Sequence, residues 1–173
     1  AFEGAECECG MRATRGAITH LRLRDAEHVL SFSTVNSAPP VGFSGTGYVD
    51  LIADMLRAGV IDKTGRLSGD GSLSRVRTND DGELEYVVIP AKQSGNGKDL
   101  VITQSDVSDI LRAKGAVYAA SAVLLKALDM TFVDLAEIMV AGAFGNFLNV
   151  ENAVFIGLLP DLPADRLRFV GNA

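Results

Sequence analysis

One stretch of the chain runs an apolar strand straight into glycines: Ile138-Met139-Val140-Ala141, then Gly142-Ala143-Phe144-Gly145-Asn146. In open α/β sheets ligands sit beyond the C-terminal ends of strands, and glycine there lets backbone approach a flat base or a phosphate. As a nucleotide site, free N–H groups at Gly142, Ala143 and Gly145 would read the ligand, with Asn146 beside them. A valine at Gly142 is then expected to abolish the nucleotide-dependent activity of the full-length protein with little loss of fold. The same pattern also describes an ordinary strand-to-helix turn, so alone it marks a position and not a ligand.

Three further groups could carry chemistry. Ser44-Gly45-Thr46-Gly47 opens a helix, where N–H groups and the helix dipole can hold an anion; a simply capped helix start reads the same way. Lys114 falls close to the apolar face of a long helix, where it either snorkels or meets an anionic partner. Cys7-Glu8-Cys9 offers two soft ligands, and only His20 and His28 could be added, which is poor material for a tetrahedral metal site. No metal is expected on the pair. A serine elbow, H-E-x-x-H and a P-loop are all lacking.

These groups need elements to hold them. Leu21-Arg22-Leu23-Arg24 alternates and reads as an outer strand, followed by a short strand at 29–33. Val49, Ile52, Ala53, Leu56 and Val60 follow a 3.6-residue spacing. A helix over 46–58 is predicted, capped by Ser44 or Thr46 and stopped at Gly59. The polar, Gly-rich 62–82 segment reads as a long surface loop around a hairpin. Strands are expected at 83–90 and 99–103. Residues 104–128 form the strongest helix, with Thr103 and Asp106 as a capping box. Val107, Ile110, Leu111, Val117, Leu124 and Leu128 make one apolar face. Gly115 in its middle either bends it or admits a close neighbour. The strand at 135–141 precedes a short helix from Asn149 to Gly157, and a last strand at 167–171 is expected beside it. The long helix should pack across the sheet. The class is α/β with a mixed sheet flanked by helices.

Composition narrows the functions. Of 173 residues 47% are hydrophobic and 22% charged, as in a globular domain. A net charge of -6 argues against nucleic acid as a partner. Two cysteines one residue apart cannot make a disulfide framework, which fits a reducing cytoplasm. No apolar run reaches the ~20 residues of a membrane span, and no signal peptide opens the chain. The chain starts without Met and stops at a Gly-Asn turn, so it reads as a fragment cut at both ends.

Four blocks in order carry a resemblance that covers the chain from end to end. They are Ala1-Phe2-Glu3-Gly4-Ala5 with Cys9-Gly10-Met11-Arg12-Ala13 and Gly16-Ala17-Ile18; Gly45-Thr46-Gly47 with Leu56 to Asp62; Ile102 to Asp106 with Ala113-Lys114-Gly115-Ala116; and Ala141 to Asn146 with Ile156 to Leu162 and Arg168 to Ala173. Together they resemble the reductive activators of corrinoid proteins. The resemblance implies an RNase H-like, actin-like ATPase fold, with residues 1–173 as its second lobe. It implies ATP or ADP with Mg²⁺ in the intact protein, and a [2Fe–2S] ferredoxin domain outside this fragment. That cluster would feed an electron to a corrinoid protein, taking Co(II) to Co(I). Gly142 to Asn146 would be the adenosine turn, and Lys114 would lie near base and ribose. Ser44 to Gly47 is the further nucleotide-facing candidate. The family's Asp-x-Gly-Thr turns and ferredoxin cysteines do not occur here, so the isolated fragment should be inactive. Position 143 is Ala where the family more often has Gly. Two other functions remain open: a docking or dimerisation module for a corrinoid protein, including a homodimer, and a kinase-like enzyme on the same fold.

Overall fold

A computed structural model describes residues 6–142, 145 and 147–171. The chain begins with β1 (Ala17–Asp25) and β2 (His28–Thr34), an antiparallel pair turning at Ala26-Glu27. Strand β3 (Gly42–Phe43) returns parallel to β1, giving the order β2-β1-β3. So β1 is central, where the alternation at Leu21–Arg24 suggested an outer strand. Its first residues, Ala17, Ile18 and Thr19, are enclosed on both faces; only beyond Leu21 does one face open to solvent. The true edge is β2, whose side chains are largely exposed.

Helix α1 (Gly45–Arg57) packs on this sheet and is the centre of the core. Every residue from Gly45 to Met55 is buried, Asp50 and Asp54 among them. Ser44 is its N-cap, with the Gly47 N–H reaching its hydroxyl, and Gly59 ends it at φ +72°. Close approach to the sheet is possible because of Gly47. A Cβ there would lie 2.3 Å from the Ile18 carbonyl oxygen.

A second, antiparallel sheet has the order β4-β5-β6, from β4 (Val76–Thr78), β5 (Leu84–Ile89) and β6 (Leu100–Thr103). The 62–82 segment therefore does lead into a hairpin, turning at Asn79–Gly82. From β6 the chain enters α2 (Gln104–Lys126) through the expected capping box of Thr103 and Asp106.

Only the start of α2 packs as the sequence suggested. Val107 and Ile110 are buried and Leu111 is partly so, but Val117, Val123, Leu124 and Leu128 are exposed. At 23 residues the helix is ~35 Å long, more than the small β4-β5-β6 sheet beneath its first turns can cover. Gly115 neither breaks the helix nor admits a neighbour, since a Cβ there would meet nothing within 4 Å.

The chain closes with β7 (Ile138–Val140), α3 (Val150–Phe155) and β8 (Leu167–Phe169). As expected, β7 and β8 are neighbours; they run parallel, with Val140 opposite Phe169. Among the described residues the strands form three small sheets, one of them mixed, and not one continuous sheet.

Two glycine substitutions should differ in sign. Gly47→Ala should lower stability by about 2 kcal/mol or more, because backbone must move to admit the methyl group. Gly115→Ala should raise it by up to about 1 kcal/mol, as for any open helical glycine. Chemical denaturation of both variants against wild type measures the two effects.

Candidate functional site

The glycine turn after β7 is built by backbone hydrogen bonds. The Gly142 N–H donates to the Gly171 carbonyl at 2.6 Å, and the Gly145 N–H to the Gly142 carbonyl at 3.2 Å. These two N–H groups are therefore engaged inside the turn, and the expected free donors at Gly142 and Gly145 are not present. Gly142 sits at φ +100°, a conformation that L side chains rarely adopt. Valine there would strain the backbone by ~1–3 kcal/mol, so it could not leave the fold untouched as the sequence suggested. Gly145 is needed for packing: a Cβ would lie 2.9 Å from the Phe169 ring and 3.2 Å from Val140 Cγ1. The other three candidates of this turn, Ala143, Phe144 and Asn146, lie outside the described residues.

Downstream of the turn, α3 starts at the Asn149 cap, whose side chain accepts from the Asn152 N–H at 3.1 Å. It ends at Gly157, φ +72°. Here Lys114 arrives from α2, with its Nζ 3.4 Å from where a Gly157 Cβ would stand. Lys114 and Gly157 line an open cleft of about 540 Å³ with Tyr118, Phe132, Leu159 and Asp161. Tyr118 and Phe132 form a tilted aromatic pair with ring centroids 5.1 Å apart. Lys114 has no hydrogen bond or ion pair among the described residues. An unpartnered ammonium beside aromatic and aliphatic walls suits a flat, anionic ligand. The structure thus gives Lys114 a cleft at the far end of the short helix that follows the glycine turn. No described contact joins Lys114 to Gly142 or Gly145 directly.

Ser44, Gly45, Thr46 and Gly47 lie elsewhere, buried where α1 meets β1. The Ser44 hydroxyl donates to the Ile18 carbonyl at 3.0 Å, and the Thr46 hydroxyl to the Thr19 carbonyl at 2.9 Å. Both hydroxyls tie the helix start to the sheet.

Sequence reasoning passed over a buried polar cluster beside these groups. Asp50 Oδ2 accepts from the Leu21 N–H at 3.3 Å and faces His20 Nδ1 at 3.2 Å. Its Oδ1 accepts from Asn152 Nδ2 at 2.6 Å. The Asn152 oxygen accepts from Arg57 at 2.6 Å, and Arg57 also pairs with Asp54 at 2.9 Å. Asp54 in turn accepts from the Leu23 N–H at 2.8 Å. Arg57 stacks 4.2 Å over the Phe155 ring. Two aspartates four apart inside an apolar helix pattern were the signal that could have found this cluster. Tyr118, also missed, lies four residues beyond Lys114, on the same helix face.

The cysteines sit apart from the cleft. Burial and the neighbouring Asp106 carboxylate push the Cys7 thiol up to about 12. Cys9 is raised mainly by burial, and its sulfur accepts from the Val101 N–H at 3.4 Å. The buried Tyr48 hydroxyl, beside Cys7, has no hydrogen bond of ordinary geometry. A plant-type [2Fe–2S] cluster needs four thiolates, and the sequence has two cysteines. No group of three metal-ligating side chains converges among the described residues.

Comparison with known proteins agrees with this architecture. The family described as the C-terminal domain of RACo, the ASKHA domain, matches residues 1–173. A corrinoid activation enzyme, RamQ of Eubacterium limosum, is 36% identical over 99% of this chain and 30% of its own length. A solved structure of a reductive activator for corrinoid, iron-sulfur protein superposes with a TM-score of 0.91 at 40% identity. That match covers 99% of this chain and 27% of the solved one. The chain thus spans under a third of the length of either relative.

The thiol environment has a direct consequence. With Cys7 raised to about 12, roughly one thiol in ten thousand is ionised at pH 8, and the thiolate is the nucleophile. Iodoacetamide should alkylate native Cys7 at least about 100-fold more slowly than the urea-unfolded chain. The native rate should still be climbing between pH 9 and pH 11. Mass spectrometry of timed quenches reads both; rapid labelling at pH 7 would contradict the assigned environment.

Proposed function

The chain belongs to the family of the C-terminal, ASKHA domain of RACo, and from that premise we propose that it is the second lobe of an ATP-binding domain in a corrinoid reductive activator. The intact protein, in this reading, uses ATP with Mg²⁺ to bring a partner corrinoid protein from Co(II) to Co(I). The electron comes from a [2Fe–2S] domain outside this chain. Both relatives support that role by name, one as a corrinoid activation enzyme and one as a reductive activator. No described helix is long and apolar enough to cross a membrane, and cytoplasmic work is part of the proposal.

The observation that carries the nucleotide part is the cleft beneath Lys114. Its aromatic pair and aliphatic walls fit a purine base, and the Lys114 ammonium fits the ribose–phosphate edge. The lobe's own tasks are then to bind and orient. Tyr118 and Phe132 shed water from the base, Lys114 supplies charge, and Gly157 keeps the floor low enough for Lys114 to cross it. The glycine turn contributes shape, holding α3 at the required angle to β7 and β8. When bound, ATP supplies the free energy for the electron's uphill step. The phosphates and Mg²⁺ are left to Asp-x-Gly-Thr turns, which this sequence lacks.

Full-length protein carrying Lys114→Ala should bind ATP about 10-fold or more weakly, the loss of one charge-assisted contact. Its corrinoid reduction should fall at limiting ATP and recover as ATP is raised. Isothermal titration and a Co(I) absorbance assay check the two statements. Unchanged affinity would remove the cleft from the nucleotide site and favour a docking or dimerisation role.

A further inference from the structure

Helix α3 is six residues long, too short to be stable by itself. Yet it follows the Gly142–Gly145 turn in the chain, and Gly157, just beyond its end, lines the cleft. Whatever fixes α3 therefore fixes both. Ala153 packs into the apolar core together with Leu148, Ile156 and Leu158, and Asn152 is the buried polar side chain of the helix. Asn152 is 3% exposed, and its amide is used on both sides. Its Nδ2 donates to Asp50 at 2.6 Å, while its oxygen accepts from Arg57 at 2.6 Å. A primary amide is the side chain of this size that can donate to a carboxylate and accept from a guanidinium at once.

We infer that Asn152 is a positioning residue: clamped between Asp50 and Arg57 of α1, it sets α3, and with it the glycine turn and the Gly157 floor of the cleft. Its consequence for nucleotide rests on the cleft reading given above; its consequence for α3 does not. The clamp also ties the turn to β1, because Asp50 holds the Leu21 N–H and Asp54 holds the Leu23 N–H. Displacing α3 would leave the buried Asp50 Oδ1 without its donor, so the arrangement resists intermediate positions.

The test is a polarity inversion in the full-length protein. N152D sets a new carboxylate against Asp50, although an acidic residue in the first turn of a helix is otherwise favourable. The double variant D50N/N152D keeps the cluster's charge: the amide introduced at position 50 donates to the carboxylate at 152, which pairs with Arg57. Asn152→Ser, which shortens the reach without adding charge, serves if N152D does not fold. Two readouts are taken well below the melting temperature: hydrogen exchange by mass spectrometry, and titration with a fluorescent N-methylanthraniloyl ATP.

N152D should speed exchange about 10-fold or more in peptides covering 145–157, with β1 and β5 peptides unchanged, and should weaken nucleotide binding about 10-fold. The double variant should recover both to within about three-fold. A merely structural role would lower the melting temperature and speed exchange everywhere alike. Uniform exchange, unchanged exchange at 145–157, or no recovery in the double variant would overturn the inference. If exchange responds as described while wild type binds no nucleotide, the positioning role stands and the cleft assignment fails.

Discussion

Asp50 is a carboxylate enclosed in the middle of an apolar helix, and much of the structure follows from satisfying it. A carboxylate taken out of water and left unpaired costs many kcal/mol. Asp50 meets that demand by drawing donors from separate elements, the Leu21 backbone and His20 of β1 and the amide of α3. The helix, the central strand and the segment after the glycine turn can thus be satisfied in one relative arrangement. Asp54 repeats the device one turn on, with the Leu23 N–H and Arg57. Arg57 then stacks on Phe155 and returns to Asn152, so charge and packing close on the same spot.

That constraint explains why α1 lies so near its sheet. Carboxylates on a helix can reach strand N–H groups only if the two backbones come close, and Gly47 permits this at the helix start. Ser44 and Thr46 complete the junction with hydroxyls bonded to the strand. The segment that resembled an anion site in sequence is thus a seam between helix and sheet. Both are helix N-termini preceded by small polar residues, and periodicity cannot distinguish an inward-facing start from one open to a ligand.

Some of the site was legible in sequence, for local reasons. Ile138 to Gly142 runs from an apolar strand into glycine, and β7 lies within the 135–141 span that pattern marks. The Thr103–Asp106 box and the Asn149 cap are local chemistry and appear as written. Lys114 stood out because a cation near an apolar face needs a reason, and the cleft supplies one. What was hidden is long-range. Asp50 and Asn152 are 102 positions apart, and Tyr118 meets Phe132 across a helix end. Nothing in local spacing ties such pairs. The bare half of α2 was misjudged for the opposite reason: an apolar stripe says that a face can be buried, not that this stretch of chain buries it.

The resulting picture divides labour between a rigid seam and an open cleft. The Asp50 cluster fixes α3; Gly157 follows α3; and Lys114 lies against Gly157 in a cleft that the aromatic pair also lines. The cysteines, half-buried beside Asp106, stand outside that line. The proposed place of the nucleotide's base is the Lys114 cleft. Photolabelling of the intact protein with 8-azido-ATP, followed by peptide mapping, addresses it at the level of residues. ATP-protectable label is expected on peptides containing Tyr118, Phe132 or the 157–162 segment. Protectable label confined to peptides remote from this cleft would contradict it.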